Sequence, residues 1–336
     1  SPMIEKHPIT ASRLQKIPFS KKKYRYLLPL FPGAVESFDL SGFDLVISTS
    51  HAVAKGAITD NNTLSICYCH TPMRYIWDQY DVYFNTDRTS PLIKSVMPIF
   101  RDYLRHWDVS TENRVDYYIA NSRFVADRIK RLYKRKSTVI PAPVNCEFYT
   151  PSQNEPEDFY LIVSALAPYK RVELAVKAFN ENGRKLVVIG GGTEASSLME
   201  IAGENIEFLG RVSDEKVLDH YQRCKGLVFP GVEDFGLVPL ETQACGRPVI
   251  AYGEGGALET IVEGVSGHFF FEQSIESLNQ AITAFERMSF SKDVIRCRAF
   301  EFDQGYIERK LRNYLNDKLL AHNLPALPAF EEQTSC

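Results

Sequence analysis

The chain has no CxxC pair: of its seven cysteines the two nearest are Cys67 and Cys69. An odd count without paired spacing points to reduced thiols instead of a disulfide framework, and it leaves zinc without a ligand pattern. No apolar run reaches the roughly 18–20 residues of a membrane span, and no secretory apolar core is present. Neither sign of charge dominates, with 39 Lys and Arg against 42 Asp and Glu and a net charge of −3. Bulk charge therefore argues against a nucleic-acid partner and against disorder. Acid is missing from one local stretch. Between Glu5 and Glu36 there is none, while Arg13, Lys16, Lys21, Lys22, Lys23 and Arg25 interleave with Phe19, Tyr24, Tyr26, Leu27 and Leu28. Such a segment, residues 13–28, suits an anionic membrane surface at about 1 kcal/mol per well-placed cation. The expectation is a cytoplasmic protein, peripheral on the inner face of a membrane at most.

With 336 residues, 44% of them hydrophobic, there is material for two cores. FDLVISTS (43–50), LSICYCHT (64–71) and VDYYIANS (115–122) are short apolar runs of strand type. Phe124, Val125, Ile129 and Leu132 then recur at helical spacing, and STVIPAPV (137–144) is a strand that stops at prolines. A polar linker (150–158) precedes a second series, in which strands at 159–166, 185–192, 206–212, 226–231 and 247–256 alternate with helices. This predicts an α/β fold of two Rossmann-like domains, over 1–150 and 151–302, with helix 303–321 returning to the first. Two such domains in series face a cleft, and the chemically loaded stretches all sit at strand ends.

EDFGLVPLETQACG (233–246) is the richest of these stretches. Pro239 and Gly246 suit a helix start and stop, which puts Glu241 in a first turn and Glu233 on the preceding loop. Two carboxylates at a strand mouth can grip vicinal hydroxyls, and Gly236 lets the backbone approach a ligand. Asp234-Phe235-Gly236 lacks the other kinase motifs, so a kinase is excluded. Lys170 and Arg171 follow a strand and precede a helix, where a diphosphate would lie. The glycine turn GGGTEA (190–195) is not GxGxxG, so a nicotinamide cofactor is unsupported. His70 in YCHTP and His51 in STSHAVAKG end strands in the first half.

With these residues in view, EDFGLVPLETQACGRPVIAYGEGGALETI resembles the E-x7-E signature of the family 4 retaining glycosyltransferases. SALAPYKRVELAVKAF, FLGRVSDE and VFPGVEDFG are similar to companion motifs. HAVAKG, YCHTPMRYIWD and NSRFVADRIKRLY resemble a subgroup that transfers mannose in O-antigen, exopolysaccharide and glycolipid assembly. The resemblance implies the two-domain GT-B fold and a nucleotide-diphosphate sugar donor, with no cofactor and no essential metal. It implies that Glu233 holds donor-sugar hydroxyls and Glu241 the ribose, with backbone groups of Phe235, Gly236 and Leu237 against sugar and diphosphate. Lys170, helped by Arg171, would neutralise the diphosphate; Arg211 and Val212 would seat the base, with Gly191 also on the donor side. His70 would line the sugar and acceptor side, joined by His51 and Arg74. The acceptor implied is lipid-linked or a polysaccharide, and the donor GDP-mannose before any UDP-sugar or other GDP-sugar.

Two departures from the family pattern qualify this. Ala165 stands where the family has an arginine, and no glycine-rich opening βα unit is recognisable before residue 40, so a shortened N-terminal domain is expected. Ser1-Pro2 ahead of Met3 fits a cloning remnant. Both departures keep open a sugar-nucleotide-binding but catalytically silent partner subunit.

Overall fold

A computed structural model describes residues 6–17, 24–84 and 91–328. The chain divides into two compact units, one of Ser1–Ala120 with Val125–Thr138 and one of Asn121–Phe124 with Val139–Cys336.

The first unit is built on four strands in sequence order, β1 (Leu45–Ser50), β2 (Leu64–Cys69), β3 (Tyr117–Ala120) and β4 (Ser137–Val139). The β1–β2 and β2–β3 pairs are parallel. Beside a five-residue helix at Tyr80–Phe84, its helices are α1 (Phe31–Glu36), α2 (Pro91–Ser110) and α3 (Arg123–Tyr133). The spacing read from the sequence serves α3 well: Val125, Ile129 and Tyr133 are buried and pack with Cys67, Cys69 and Tyr118. A second cluster joins Leu28 and Val35 to Met73, Ile76, Leu104 and Trp107. Strand β4 is shorter than STVIPAPV suggested, because Pro141 and Pro143 cannot donate to a ladder.

Between these clusters the lysine of HAVAKG is buried. Lys55 Nζ donates to the Asp108 backbone carbonyl (2.5 Å) and Thr111 Oγ1 (3.0 Å), and pairs with Asp108 Oδ1 at 3.3 Å. The Asp108 carboxylate also accepts from the Tyr133 hydroxyl (2.9 Å) and Trp77 Nε1 (2.8 Å). This lysine of a strand-end motif is an internal tie between β1's exit and α2.

The second unit carries a six-stranded parallel sheet, ordered β10-β9-β8-β5-β6-β7. The strands are β5 (Tyr160–Val163), β6 (Leu186–Ile189), β7 (Ile206–Gly210), β8 (Gly226–Phe229), β9 (Val249–Tyr252) and β10 (Gly267–Phe270). Their connecting helices are α4 (Val172–Asn182), α5 (Ala195–Ile201), α6 (Asp214–Arg223), α7 (Leu237–Ala244) and α8 (Ala257–Thr260), followed by α9 (Ile275–Phe285), α10 (Lys292–Phe300) and α11 (Gln304–Ala321). Parallel strands covered on both faces read as unbroken apolar runs, and Leu161, Val188, Leu227 and Ile250 are accordingly buried. The sheet grows from β5 outward to β7, then restarts with β8 on β5's other side. Crossovers leave in opposite directions at β5 and β8, and such a switch point opens a crevice at the carboxyl ends of the strands.

The smaller sheet of the first unit agrees with the shortened N-terminal domain expected. ALETIVEG holds only one helical turn, α8, and β10, α9 and α10 behind it were not separated by the sequence pattern. Of the basic segment, Arg13 and Lys16 are exposed, whereas residues 18–23 lie outside the described residues, as do the side chains of 24–26. No helix among the described residues is long and apolar enough to cross a membrane.

Candidate active site

The switch point gathers the loops leaving β5 and β8. After β5 the chain makes a helical turn, Pro168–Lys170, and Lys170 Nζ forms an ion pair with Glu233 Oε1 from the β8 loop. The lysine also lies over the Tyr169 ring at 5.3 Å. Arg171 is exposed in left-handed conformation (φ 55°) and caps α4, which begins at Val172. That conformation is sparse for any residue but glycine, and it turns the chain sharply between Lys170 and the helix.

Glu233 is held by its backbone. It makes a parallel bridge to Gly255, and Gly256 N–H donates to its carbonyl at 2.8 Å. A Cβ on Gly256 would stand 2.3 Å from the Phe235 Cα, so only glycine permits the β8 and β9 loops to close on each other. The Phe235 side chain is buried and packs edge-on against Phe302 (5.8 Å between centroids). Phe235 is thus an anchor, and only its backbone is left for a ligand. Gly236 (φ 100°) turns the chain into α7, whose first residue, Leu237, is exposed.

Glu241 departs from expectation. It is the fifth residue of α7, in the second turn, and Pro239 is the third. The helix dipole at the first turn is therefore not what sets its charge. Burial pushes its carboxyl above the usual range, opposed by hydrogen bonds from Tyr221 and Tyr149, while Asp214 pushes it further up. The Tyr221 hydroxyl donates to Oε2 at 2.8 Å.

On the other side of the switch point, the exposed Arg211 side chain lies along the glycine turn, 3.5 Å from where a Gly191 Cβ would be. Val212 packs against the cluster of Phe159, Leu161 and Tyr221. Ala165 is exposed just past β5, five residues ahead of Lys170. Lys170 of the β5 loop thus meets Glu233 of the β8 loop, Gly236, Leu237 and Glu241 follow Glu233 into α7, and Arg211 lies against Gly191 past β7 and β6.

His70, His51 and Arg74 lie in the first unit. The β1–β2 register, Ser50 opposite Cys69, puts His51 and His70 side by side just past the strand ends, and His70 N–H donates to the Ser50 carbonyl at 2.8 Å. The His70 ring packs edge-on against Tyr68 at 5.1 Å; His51 is exposed. Arg74 is half-buried, in a turn closed by Gln79 N–H to its carbonyl at 2.8 Å. Sequence reasoning missed Tyr149, Tyr221, Gly255 and Gly256. The GEGG run was visible as a strand-end loop, but nothing in the sequence links either tyrosine to Glu241.

The fold defines the class. Among solved structures, sucrose-phosphate synthase from Thermosynechococcus elongatus matches with a TM-score of 0.70 at 20% identity, covering 90% of this chain and 80% of that one. The lipopolysaccharide outer core galactosyltransferase WaaB matches at 0.61 and 15%, covering 90% and 83%. Both likenesses are of fold, and the fold is GT-B. Two family models meet end to end along the sequence, Glycosyltransferase Family 4 over residues 4–148 and Glycosyl transferases group 1 over residues 148–299. The chain belongs to family 4 of the glycosyltransferases.

An uncharacterized glycosyltransferase of Methanocaldococcus jannaschii is 32% identical over 45% of this chain and 44% of its own length. The alpha-1,3/1,6-mannosyltransferase ALG2 of Saccharomyces cerevisiae is 26% identical over 60% and 48%. A GDP-mannose-dependent monoacylated alpha-(1-6)-phosphatidylinositol monomannoside mannosyltransferase of Corynebacterium glutamicum is 29% identical over 56% and 58%. The chain spans about half the length of these relatives.

Proposed function

We propose that the chain is a retaining glycosyltransferase that moves mannose from GDP-mannose to a lipid-linked or polysaccharide acceptor on the cytoplasmic side of a membrane. The observation that carries this is the Lys170–Glu233 contact at the switch point. In a sugar nucleotide the anomeric carbon is one oxygen away from phosphorus. A cation for the phosphate and a carboxylate for the sugar hydroxyls must therefore stand side by side, and these two do. Mannose is supported by the names of the relatives in yeast and Corynebacterium. A UDP-sugar is the competing donor, since an Anabaena neighbour of the same fold (TM-score 0.58) is solved with UDP.

The chemistry follows from charge. As the bond from the anomeric carbon to the phosphate oxygen breaks, Lys170 stabilises the growing negative charge. The freed phosphate oxygen takes the acceptor's hydroxyl proton, and the acceptor oxygen bonds the anomeric carbon on the face just vacated, which keeps the configuration. Glu233 orients the sugar through its hydroxyls, and Arg211 and Gly191 flank the nucleoside. His70, His51 and Arg74 are assigned to the acceptor by motif resemblance.

Incubation with GDP-mannose and a polyprenyl-linked acceptor, followed by NMR of the product, tests the reading. An α-linked mannoside is expected, and a β-linkage would overturn it. Thermal shifts with GDP and UDP sugars decide the donor, because the bound nucleotide raises the melting temperature. A second reading, donor binding without transfer, rests on the exposed Ala165. Tight donor binding with neither transfer nor donor hydrolysis would favour it.

A further inference from the structure

Glu241 is faced by tyrosines from two other segments of the chain. Tyr221 comes from α6, is fully buried, and donates its hydroxyl to Oε2 at 2.8 Å. Tyr149 comes from the segment ahead of β5, and its ring packs edge-on against Tyr221 at 5.8 Å and 67°. Its phenol also faces that carboxylate and favours its ionised form. Arg296 of α10 fastens these parts together. One guanidinium nitrogen donates to the Tyr149 carbonyl (3.1 Å) and to the Ala244 carbonyl at the end of α7 (2.5 Å), and the other reaches the Cys146 carbonyl at 3.1 Å. Gln222, beside Tyr221, donates to the Thr150 carbonyl at 2.7 Å.

An ionised carboxylate offers about four acceptor sites and no donor. The two phenols take at most two of them, and two remain, the number that a cis-diol needs. The half-buried Glu241 keeps part of its surface open to a ligand. A phenol that donates favours the accepting, ionised form of the carboxylate and fixes its plane.

We infer that Tyr221 and Tyr149 are positioning residues that orient Glu241 for the two ribose hydroxyls of the nucleoside diphosphate, an inference that rests on the donor-site reading above. They act through Glu241 and touch no reacting atom, so their loss raises KM for the donor and leaves kcat at saturating donor near the wild-type value. The groups facing Glu241 are Tyr221 and Asp214 from α6, Tyr149 ahead of β5 and Cys245 on its own chain segment. Removing a phenol leaves burial and Asp214 less opposed. The pH at which binding fails on acidification therefore moves upward in the variants.

Calorimetry with GDP and with 2′,3′-dideoxy-GDP on the wild type, Tyr221→Phe and Tyr149→Phe tests this, at several pH values. The wild type is expected to prefer the ribose form, and each variant to lose about tenfold of that preference, the effect of one hydrogen bond to a charged group. A wild type indifferent to the ribose hydroxyls would remove the parent assignment of Glu241. A wild type that discriminates, with both variants keeping its full ratio and pH limb, would overturn the positioning role alone. Tyr149, only half-buried, carries the test if the buried Tyr221→Phe change prevents folding.

Discussion

Lys170 and Glu233 reach each other from loops that leave neighbouring strands of the second sheet, and their side chains are paired. Each therefore competes with the other's ligand. A diphosphate arriving at Lys170 must displace the carboxylate, whereas a sugar nucleotide gives both groups new partners at once.

The first prediction follows from that competition. Lys170→Met weakens nucleoside diphosphate binding by about 10- to 100-fold, the loss of a hydrogen-bonded contact between charged groups. Glu233→Gln moves in the other direction, because the amide releases Lys170, and GDP alone binds as well as before or better. The preference for GDP-mannose over GDP is lost in the same variant. Calorimetry of both ligands on both variants reads all of this, and equal weakening of GDP by the two changes would place Glu233 off the sugar.

The architecture was legible because parallel strands buried on both faces leave continuous apolar runs, as at Phe159–Leu166 and Lys185–Gly192, and short polar loops punctuate them. The E-x7-E stretch was legible for its spacing. What stayed hidden depends on contacts across long sequence separations. Glu241 and Tyr221 lie 20 residues apart on different helices, and neither position shows a periodic signal. Pro239 marks the start of α7 only loosely, since a proline is tolerated anywhere in the first turn and the helix begins two residues ahead of it. The left-handed turn at Arg171 was hidden as well, because no propensity signals that conformation in an arginine. The burial of Lys55 was hidden by long separation too, since Asp108, which pairs with it, lies 53 residues away.

That buried pair supports a prediction about stability. Lys55→Met removes the cation and leaves Asp108 with its tyrosine and tryptophan donors only, in a site where both charges are shielded from water. Breaking a buried ion pair from one side costs about 3–5 kcal/mol. The double change Lys55→Met with Asp108→Asn costs less than Lys55→Met alone, because no net charge is then left inside. Urea denaturation of the single and double variants measures the difference. A single variant as stable as the wild type would show that Lys55 contributes nothing to the first unit.

The last prediction concerns pH. Glu286 accepts from Arg184 Nε (2.9 Å) and Nη2 (2.5 Å), from Lys225 (3.2 Å) and from the Tyr160 hydroxyl (3.0 Å). The Arg184 hydrogen bonds, working against burial, hold its carboxyl down at about 2, from an ordinary value of 4.5. A carboxyl depressed in the folded state binds its proton more readily when unfolded, so its stabilisation is complete above pH 4.5 and is lost as pH falls toward 2. The side chain is 25% exposed, and with solvent screening the contribution is about 1–3 kcal/mol. Glu286→Gln is therefore less stable than the wild type at neutral pH, and the gap closes between pH 4.5 and 2. Thermal melts of both proteins across that range read it directly. A gap that stays constant on acidification would mean that the glutamate acts through packing against Tyr160 and not through its charge.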